Sequence, residues 1–246
     1  MISRDFCRPL ENPRHGFRGI AMIQFLSHPI RKGDPGWPNS PTFEFEQTSQ
    51  IGVNGQSANT YSLHLFNHFS SHMDGPNHFN PTGIQLYEVP AERFVYESPV
   101  LVDVTLGPDE LITIEDIKPY EDRIANSDAI LFRTHFTKIR SSDPELYASH
   151  GPGVSPELCE YIVKQFPKLK AVGLDFISLA AYQKGSEGVL AHQWMLGNFH
   201  EHYVLIIEDL NFENLVQDHL QTVIALPLRV AEVDSAPCTV VAISAR

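Results

Sequence analysis

Between residues 67 and 79 the chain reads NHFSSHMDGPNHF, which crowds His68, His72, Asp74 and His78 into one short segment. Imidazole nitrogens and carboxylate oxygens are the donors that zinc, manganese or iron accept. A site of two histidines and one aspartate leaves coordination positions open for water and substrate. That is the arrangement of a catalytic metal site rather than a structural one. Taken singly, each residue has a plainer reading as a hydrogen-bonded histidine or as an aspartate in a turn before Gly75. The joint spacing His68-x-x-x-His72-x-Asp74-x-Pro76-x-His78 favours a metal site over turn chemistry.

The elements around the motif must bring these groups to one point. The stretch TYSLHLFNHF favours a strand, with Tyr61, Leu63 and Leu65 on one face and Ser62, His64, Phe66 and His68 on the other. A strand rises about 3.3 Å per residue, so a straight one would hold His68 and His72 roughly 13 Å apart. Metal–nitrogen bonds are only about 2 Å long, so both could not reach one ion. The chain must therefore bend through Phe69, Ser70 and Ser71, and one helical turn would bring positions four apart within about 6 Å. Gly75 and Pro76 then supply a fixed bend that returns His78 toward the same point. His64 reads as structural, and His28 orients a loop or a ligand.

Short β-branched or apolar runs predict strands over 99–106, 128–134, 170–176, 203–208 and 238–244. SPELCEYIVKQF predicts a helix with Ser155 as N-cap, Pro156 at the first position and Leu158, Ile162, Val163 and Phe166 on one face. TIEDIKPYEDRI opens with a capping box, Thr113 and Asp116, and Pro119 is expected to cut that helix short. NFENLVQDHL is a third helix candidate. Strands alternating with helices indicate a mixed α/β fold, read as a single domain behind a Pro- and Gly-rich beginning with an obvious loop at 31–41.

Composition narrows the function classes. The chain has 246 residues and a formal net charge of −12, which argues against a nucleic-acid partner. No apolar run approaches the length of a membrane span, so no membrane partner is expected. Cys7, Cys159 and Cys238 are sparse and form no C-x-x-C pair, which fits reduced thiols in a cytoplasmic protein. There is no phosphate-binding G-x-x-x-x-G-K-[ST] loop, no G-x-G-x-x-G after a strand and no G-x-S-x-G elbow.

The histidine motif resembles the signature of the cyclase family of metal-dependent hydrolases, which includes bacterial-type kynurenine formamidase and isatin hydrolase. Further stretches fit in order: FLSHPIRKGDPGWP, AILFRTHF, GPGVSPE, AVGLDFISL and ALPLRVAEVDSAPCTVVAI, so the resemblance runs from about residue 25 to the end. It implies a swivelling β/β/α-type fold with a mixed sheet, preceded by an arm over roughly the first 24 residues. It implies one or two divalent ions per chain, zinc or manganese. His68, His72 and Asp74 match ligands of the first metal, with Asp74 able to bridge to a second held by His192 and Glu208. His78 matches the acid/base, and Trp37 an aromatic residue that contacts substrate. The connection from His192 to Glu208 is long and contains His200, Glu201 and His202, any of which could replace a ligand. The Phe69-Ser70-Ser71 spacer departs from the family pattern, as does Thr239, where an arginine is common.

The reaction implied is hydrolysis of a carbon–nitrogen bond in a small aromatic or cyclic amide by metal-activated water, in a homodimer or homotetramer. A lactone hydrolase or cyclase using the same site is the alternative within enzymes. Outside them, the alternative is a metal-binding or structural protein without turnover.

Overall fold

The computed structural model describes residues 22–245. The arm expected over roughly the first 24 residues lies outside them, apart from the residues that open the strand Met22–Phe25, and so does Cys7. Four of the expected runs form a parallel group, hydrogen-bonded in the order Pro99–Asp103, Ala129–Arg133, Ala171–Leu174, Leu205–Glu208. The last run lengthens into Ser235–Ser244, which forms an antiparallel hairpin with Leu220–Pro227. A short strand, His72–Asp74, joins the two halves. It runs antiparallel to Leu205–Glu208 on one side and to Ser235–Ser244 on the other.

The result is a mixed sheet of nine strands that nearly closes on itself. Val95–Tyr96 pairs with the free edge of the hairpin, and three residues further on the chain enters Pro99–Asp103 at the opposite end. Gln217 stitches the two ends by accepting the Leu101 amide. Strand alternation sorts the core into two layers. Val100, Ile130, Phe132, Val172 and Ile206 face the helices Pro156–Gln165 and Gly185–Met195, while Leu101, Leu131, Leu205 and Ile207 fill the inside of the curl with Val223, Ala225 and Val240. Each fully buried aliphatic side chain stabilises this arrangement by about 1.5–3 kcal/mol. The mixed α/β class expected from the sequence is the one the chain adopts.

The helix after Ser155 forms as expected, with the Ser155 hydroxyl accepting the Leu158 amide at 3.2 Å. The capping box at Thr113 also forms, the Thr113 amide donating to Asp116 Oδ2 at 2.7 Å. Pro119 cuts that helix short, to the single turn Ile114–Ile117. It diverts the chain through a 3-10 turn, Lys118–Tyr120, into a second helical turn, Glu121–Ile124. NFENLVQDHL is not a helix. Arg133 Nη1 takes the carbonyls of Phe212 and Leu215 at 3.1 and 2.7 Å while those two side chains are buried, leaving only a 3-10 turn at Gln217–His219.

Candidate metal centre

The motif begins as the sequence suggests and then bends differently. The strand Thr60–His64 pairs with Glu44–Ser49 in an exposed hairpin and ends at His64, which lies away from the site. The bend between His68 and His72 is not a helical turn. Ser70 adopts a left-handed conformation at φ 58°, and that kink brings the two rings to 5.1 Å between centroids. From Phe69 to Pro76 the segment is buried, and His72 and Asp74 project from a strand held on both edges. Gly75 then passes so close to the Asp234 carbonyl that a Cβ would stand 2.8 Å from it, so only glycine fits. Pro76 starts the 3-10 turn Pro76–His78, which folds the His78 ring to 4.1 Å from that of His68.

Glu208 and His192 arrive from elsewhere. Glu208 ends the strand paired with His72–Asp74 and is directly opposite His72 in register. His192 lies on the helix Gly185–Met195, which the sequence did not announce: Lys184 is no capping residue, and Gly185 and Gly188 lower helix propensity. Packing decides it. Gly188 sits where a Cβ would come within 2.3 Å of the Ala180 Cβ, so the glycine lets the helix close down on the loop after the Ala171–Leu174 strand.

Asp74 is the centre of the cluster. His68 Nδ1 is 3.0 Å and His72 Nε2 3.5 Å from its Oδ1, and His192 Nε2 is 3.8 Å from its Oδ2. Glu208 closes the ring, Oε2 at 3.2 Å from His72 Nε2 and Oε1 at 3.6 Å from His192 Nε2. The His68 contact is off the line a hydrogen bond needs, so both Asp74 oxygens and His72 Nε2 are buried with no hydrogen-bond partner among the described residues. Backbone carbonyls fix the tautomers. His72 Nδ1 donates to the Ser70 carbonyl and His192 Nδ1 to the Gly188 carbonyl, each at 2.8 Å. A carbonyl can only accept, so the Nε2 lone pairs of the neutral rings face the carboxylates.

Lone pairs aimed at one another across these gaps repel unless a cation lies between them. Two ligands on one ion, each bonded at about 2.1 Å, stand roughly 3.0–3.4 Å apart, close to the spacings here. Protons meet the same demand in the ion-free protein. Burial disfavours a charged His68, but the Asp234 and Asp74 carboxylates beside its two nitrogens outweigh it and push its pKa up to about 10. Burial likewise opposes charge on His72 and His192, and the Glu208 carboxylate overcomes it and raises both. Burial would raise Glu208, yet the two histidines hold it far below the usual carboxylate range. The residues therefore fit a divalent ion. Two compact donor groups share Asp74: His68, Asp74 and His78, and His72, Asp74 and Glu208.

The cluster floors a cavity of about 280 Å³ whose walls include Trp37, Phe66, Phe79, Ile177 and Val189. Trp37, from the Pro-rich loop, packs edge-on against Tyr182 at 5.3 Å, and Phe79 stacks on His192 at 4.5 Å. The structure thus gathers His68, His72, Asp74, His78, His192, Glu208 and Trp37 around one space. His200, Glu201 and His202, the alternative ligands, belong to neither donor group and do not line the cavity. His28 stands behind the site, its ring 3.9 Å from Asp209 and its amide on Ser71 Oγ. Sequence reasoning missed Asp234, whose Oδ2 lies 2.6 Å from His78 Nδ1 and 3.2 Å from His68 Nε2. It also missed Ser235, whose hydroxyl is 2.7 Å from His68 Nε2. Asp234 ends the turn of the C-terminal hairpin and Ser235 opens its second strand, more than 150 residues after the motif, and no local pattern marks them.

A nearly closed mixed sheet with an open His/Asp/Glu cluster beside an aromatic-walled cavity defines the class to which this chain belongs: α/β proteins built around a metal-binding pocket. The family is specific, because residues 25–181 match the Cyclase family model and the chain belongs to that family. Among its relatives, the kynurenine formamidase of Erythrobacter litoralis is 25% identical over 213 residues, spanning 87% of this chain and 89% of that protein. An uncharacterised protein of Haemophilus influenzae is 34% identical over 110 residues, 45% of this chain and 78% of that one. In fold, isatin hydrolase A of Labrenzia aggregata superposes with a TM-score of 0.79 at 22% identity, over 92% of this chain and 94% of that one.

Proposed function

We infer that this chain is a metal-dependent hydrolase that cleaves a carbon–nitrogen bond, other than a peptide bond, in a small aromatic or cyclic amide. The observation that carries the inference is the buried Asp74 carboxylate, whose oxygens face three imidazole nitrogens at 3.0–3.8 Å and accept no hydrogen bond among the described residues. His68, His72 and Asp74 would hold one ion, and Asp74, His192 and Glu208 a second. Histidine and carboxylate donors suit zinc and manganese alike. A divalent ion held there would supply Lewis acidity, making water a stronger nucleophile near neutral pH and stabilising negative charge on the carbonyl oxygen.

The chain's own residues do the rest. Trp37, Phe66 and Phe79 would sandwich a flat ring and exclude bulk water, aiming the amide carbonyl at the cavity floor. His78 carries its Nδ1 on Asp234, which leaves Nε2 free to move a proton. In the hydrolysis, an oxygen–carbon bond forms from water and the carbon–nitrogen bond breaks. One water proton travels through His78 to the leaving nitrogen, and the product is a carboxylic acid and an amine. The relationship to kynurenine formamidases supports an aryl formamide as the substrate type. His78→Ala should keep its metal and lose turnover on aryl formamides, and a fully active His78→Ala enzyme would overturn this role. Matched amide and lactone substrates separate the C–N reading from oxygen-ester chemistry, which faster lactone cleavage would favour.

The assembly and setting are proposals on the same footing. The exposed hairpin carries Phe45, Tyr61 and Leu63, the last 61% accessible, a surface suited to a homodimer or homotetramer. Cys159 and Cys238 are free and buried, consistent with a reducing cytoplasm. Among the described residues no helix is long and apolar enough to cross a membrane. The whole chain would serve as one catalytic domain.

A further inference from the structure

His78 faces two possible fates. One of its nitrogens lies within 4.8 Å of donor atoms of both His68 and Asp74, so the ring could swing in as another ligand to an ion. A ring that ligates an ion through its free nitrogen cannot also carry a proton there. The orientation of the ring decides what its free nitrogen meets, and the hairpin turn sets that orientation.

Asp234 begins where the sheet places it. Ser235 pairs with Asp74 in register, so Asp234 lies just beyond the end of the His72–Asp74 strand, its carbonyl accepting the Gly75 amide at 2.9 Å. The side chain is steered from one side by Asn67, whose Nδ2 donates to Oδ1 at 2.9 Å. The other oxygen, Oδ2, is shared: 2.6 Å to His78 Nδ1 and 3.2 Å to His68 Nε2. Carboxylate oxygens only accept, so His78 presents Nδ1–H to Asp234 and keeps Nε2 for the cavity. The ring is also wedged between His68 at 4.1 Å and Phe79 at 4.5 Å, which restricts its rotation. The same oxygen touches the outer nitrogen of His68, as carboxylates behind metal-bound histidines do when they fix ring orientation.

We propose that Asp234 is the positioning residue of this site: through one carboxylate oxygen it fixes His78 in the Nδ1–H tautomer with Nε2 turned to the cavity, while orienting His68 as a ligand. The proposal rests on the hydrolase reading for its kinetic consequences but not for its structural ones. A carboxylate behind a metal-bound histidine typically changes metal affinity or activity by about 10–100-fold when removed.

The test compares zinc-loaded wild type with Asp234→Ala, and with the isosteric Asp234→Asn if the alanine variant does not fold. Nitrogen-15 NMR of the histidine rings reads the tautomer directly and needs no substrate. The expected result is a His78 Nδ1–H signal in the wild type that is lost or exchanged for Nε2–H in the variant. Zinc Kd, measured by chelator competition, should weaken about tenfold. With an aryl formamide, kcat should fall 10–100-fold with KM changed less than about threefold. At saturating zinc, adding His78→Ala to the variant should then cost no kcat beyond His78→Ala alone, because with the metal fully loaded the two changes act on turnover through one ring. An unchanged His78 tautomer in the variant, or a kcat loss that multiplies with that of His78→Ala, overturns the proposal. If the wild type hydrolyses no amide, the hydrolase reading falls while the NMR result still decides the part played by Asp234.

Discussion

Glu208 and Asp209 are adjacent, both buried, and live in opposite electrostatic settings. Asp209 accepts from Arg140 Nε and Nη2 at 2.9 and 2.8 Å and from the Tyr147 hydroxyl at 2.6 Å. Burial would raise its pKa, and the guanidinium outweighs burial and lowers it. Arg140 also reaches Asp34 at 3.5 Å, tying the loop that bears Trp37 to the back of the site. That region holds its own cation. Glu208, turned the other way, shares with Asp74 a space whose only counter-charges among the described residues are imidazoles. The contrast teaches how to read a buried carboxylate. One that faces a guanidinium is part of the fold, and one that faces imidazole lone pairs is waiting for charge from outside.

Three experiments can break that contrast. The largest effect is expected at Asp74. Asp74→Asn should abolish retention of zinc or manganese and lower kcat/KM by at least ~1000-fold, about 4 kcal/mol of transition-state stabilisation. In urea titrations of chelated protein it should lower stability, because the histidines around Asp74 favour its carboxylate in the fold. Next comes Arg140→Met, which strands Asp209 and should lower the unfolding free energy by about 3–5 kcal/mol. The folded fraction of that variant should keep the metal content of the wild type, and an Arg140→Met protein as stable as wild type would erase the distinction.

The smallest effect is a pH dependence of the chelated protein. The folded pKa of His68, about 10, exceeds the ordinary value of 6.5, so folding favours its protonated form. That stabilisation is complete below pH 6.5 and is lost as pH rises through about 10. Melting temperatures of chelated protein should therefore fall over that window, with His68→Gln flattening the slope. A flat profile in the unsubstituted chain would mean that protons do not stand in for the ion at His68.

Much of the site was legible because its chemistry is local. His68, His72, Asp74 and His78 lie in one motif whose spacing already required a bend, although the kink at Ser70 replaced the helical turn. His192 and Glu208 were reachable only through family resemblance, since nothing in an apolar strand end or a glycine-interrupted helix announces a ligand. Asp234 was invisible because its contacts form across the sheet, set by the register of Ser235 on Asp74. The parallel strands could be read from their β-branched runs. The failed helix in NFENLVQDHL shows the limit: its carbonyls are claimed by Arg133, a partner far away in sequence.

The most direct measurement is elemental analysis of tag-free protein after exposure to limiting zinc and manganese, beside the Asp74→Asn variant. The account predicts one or two tightly held ions per chain in the wild type and none in the variant. Well-folded wild-type protein that holds no ion would contradict it, reducing the histidine motif to a hydrogen-bonded turn.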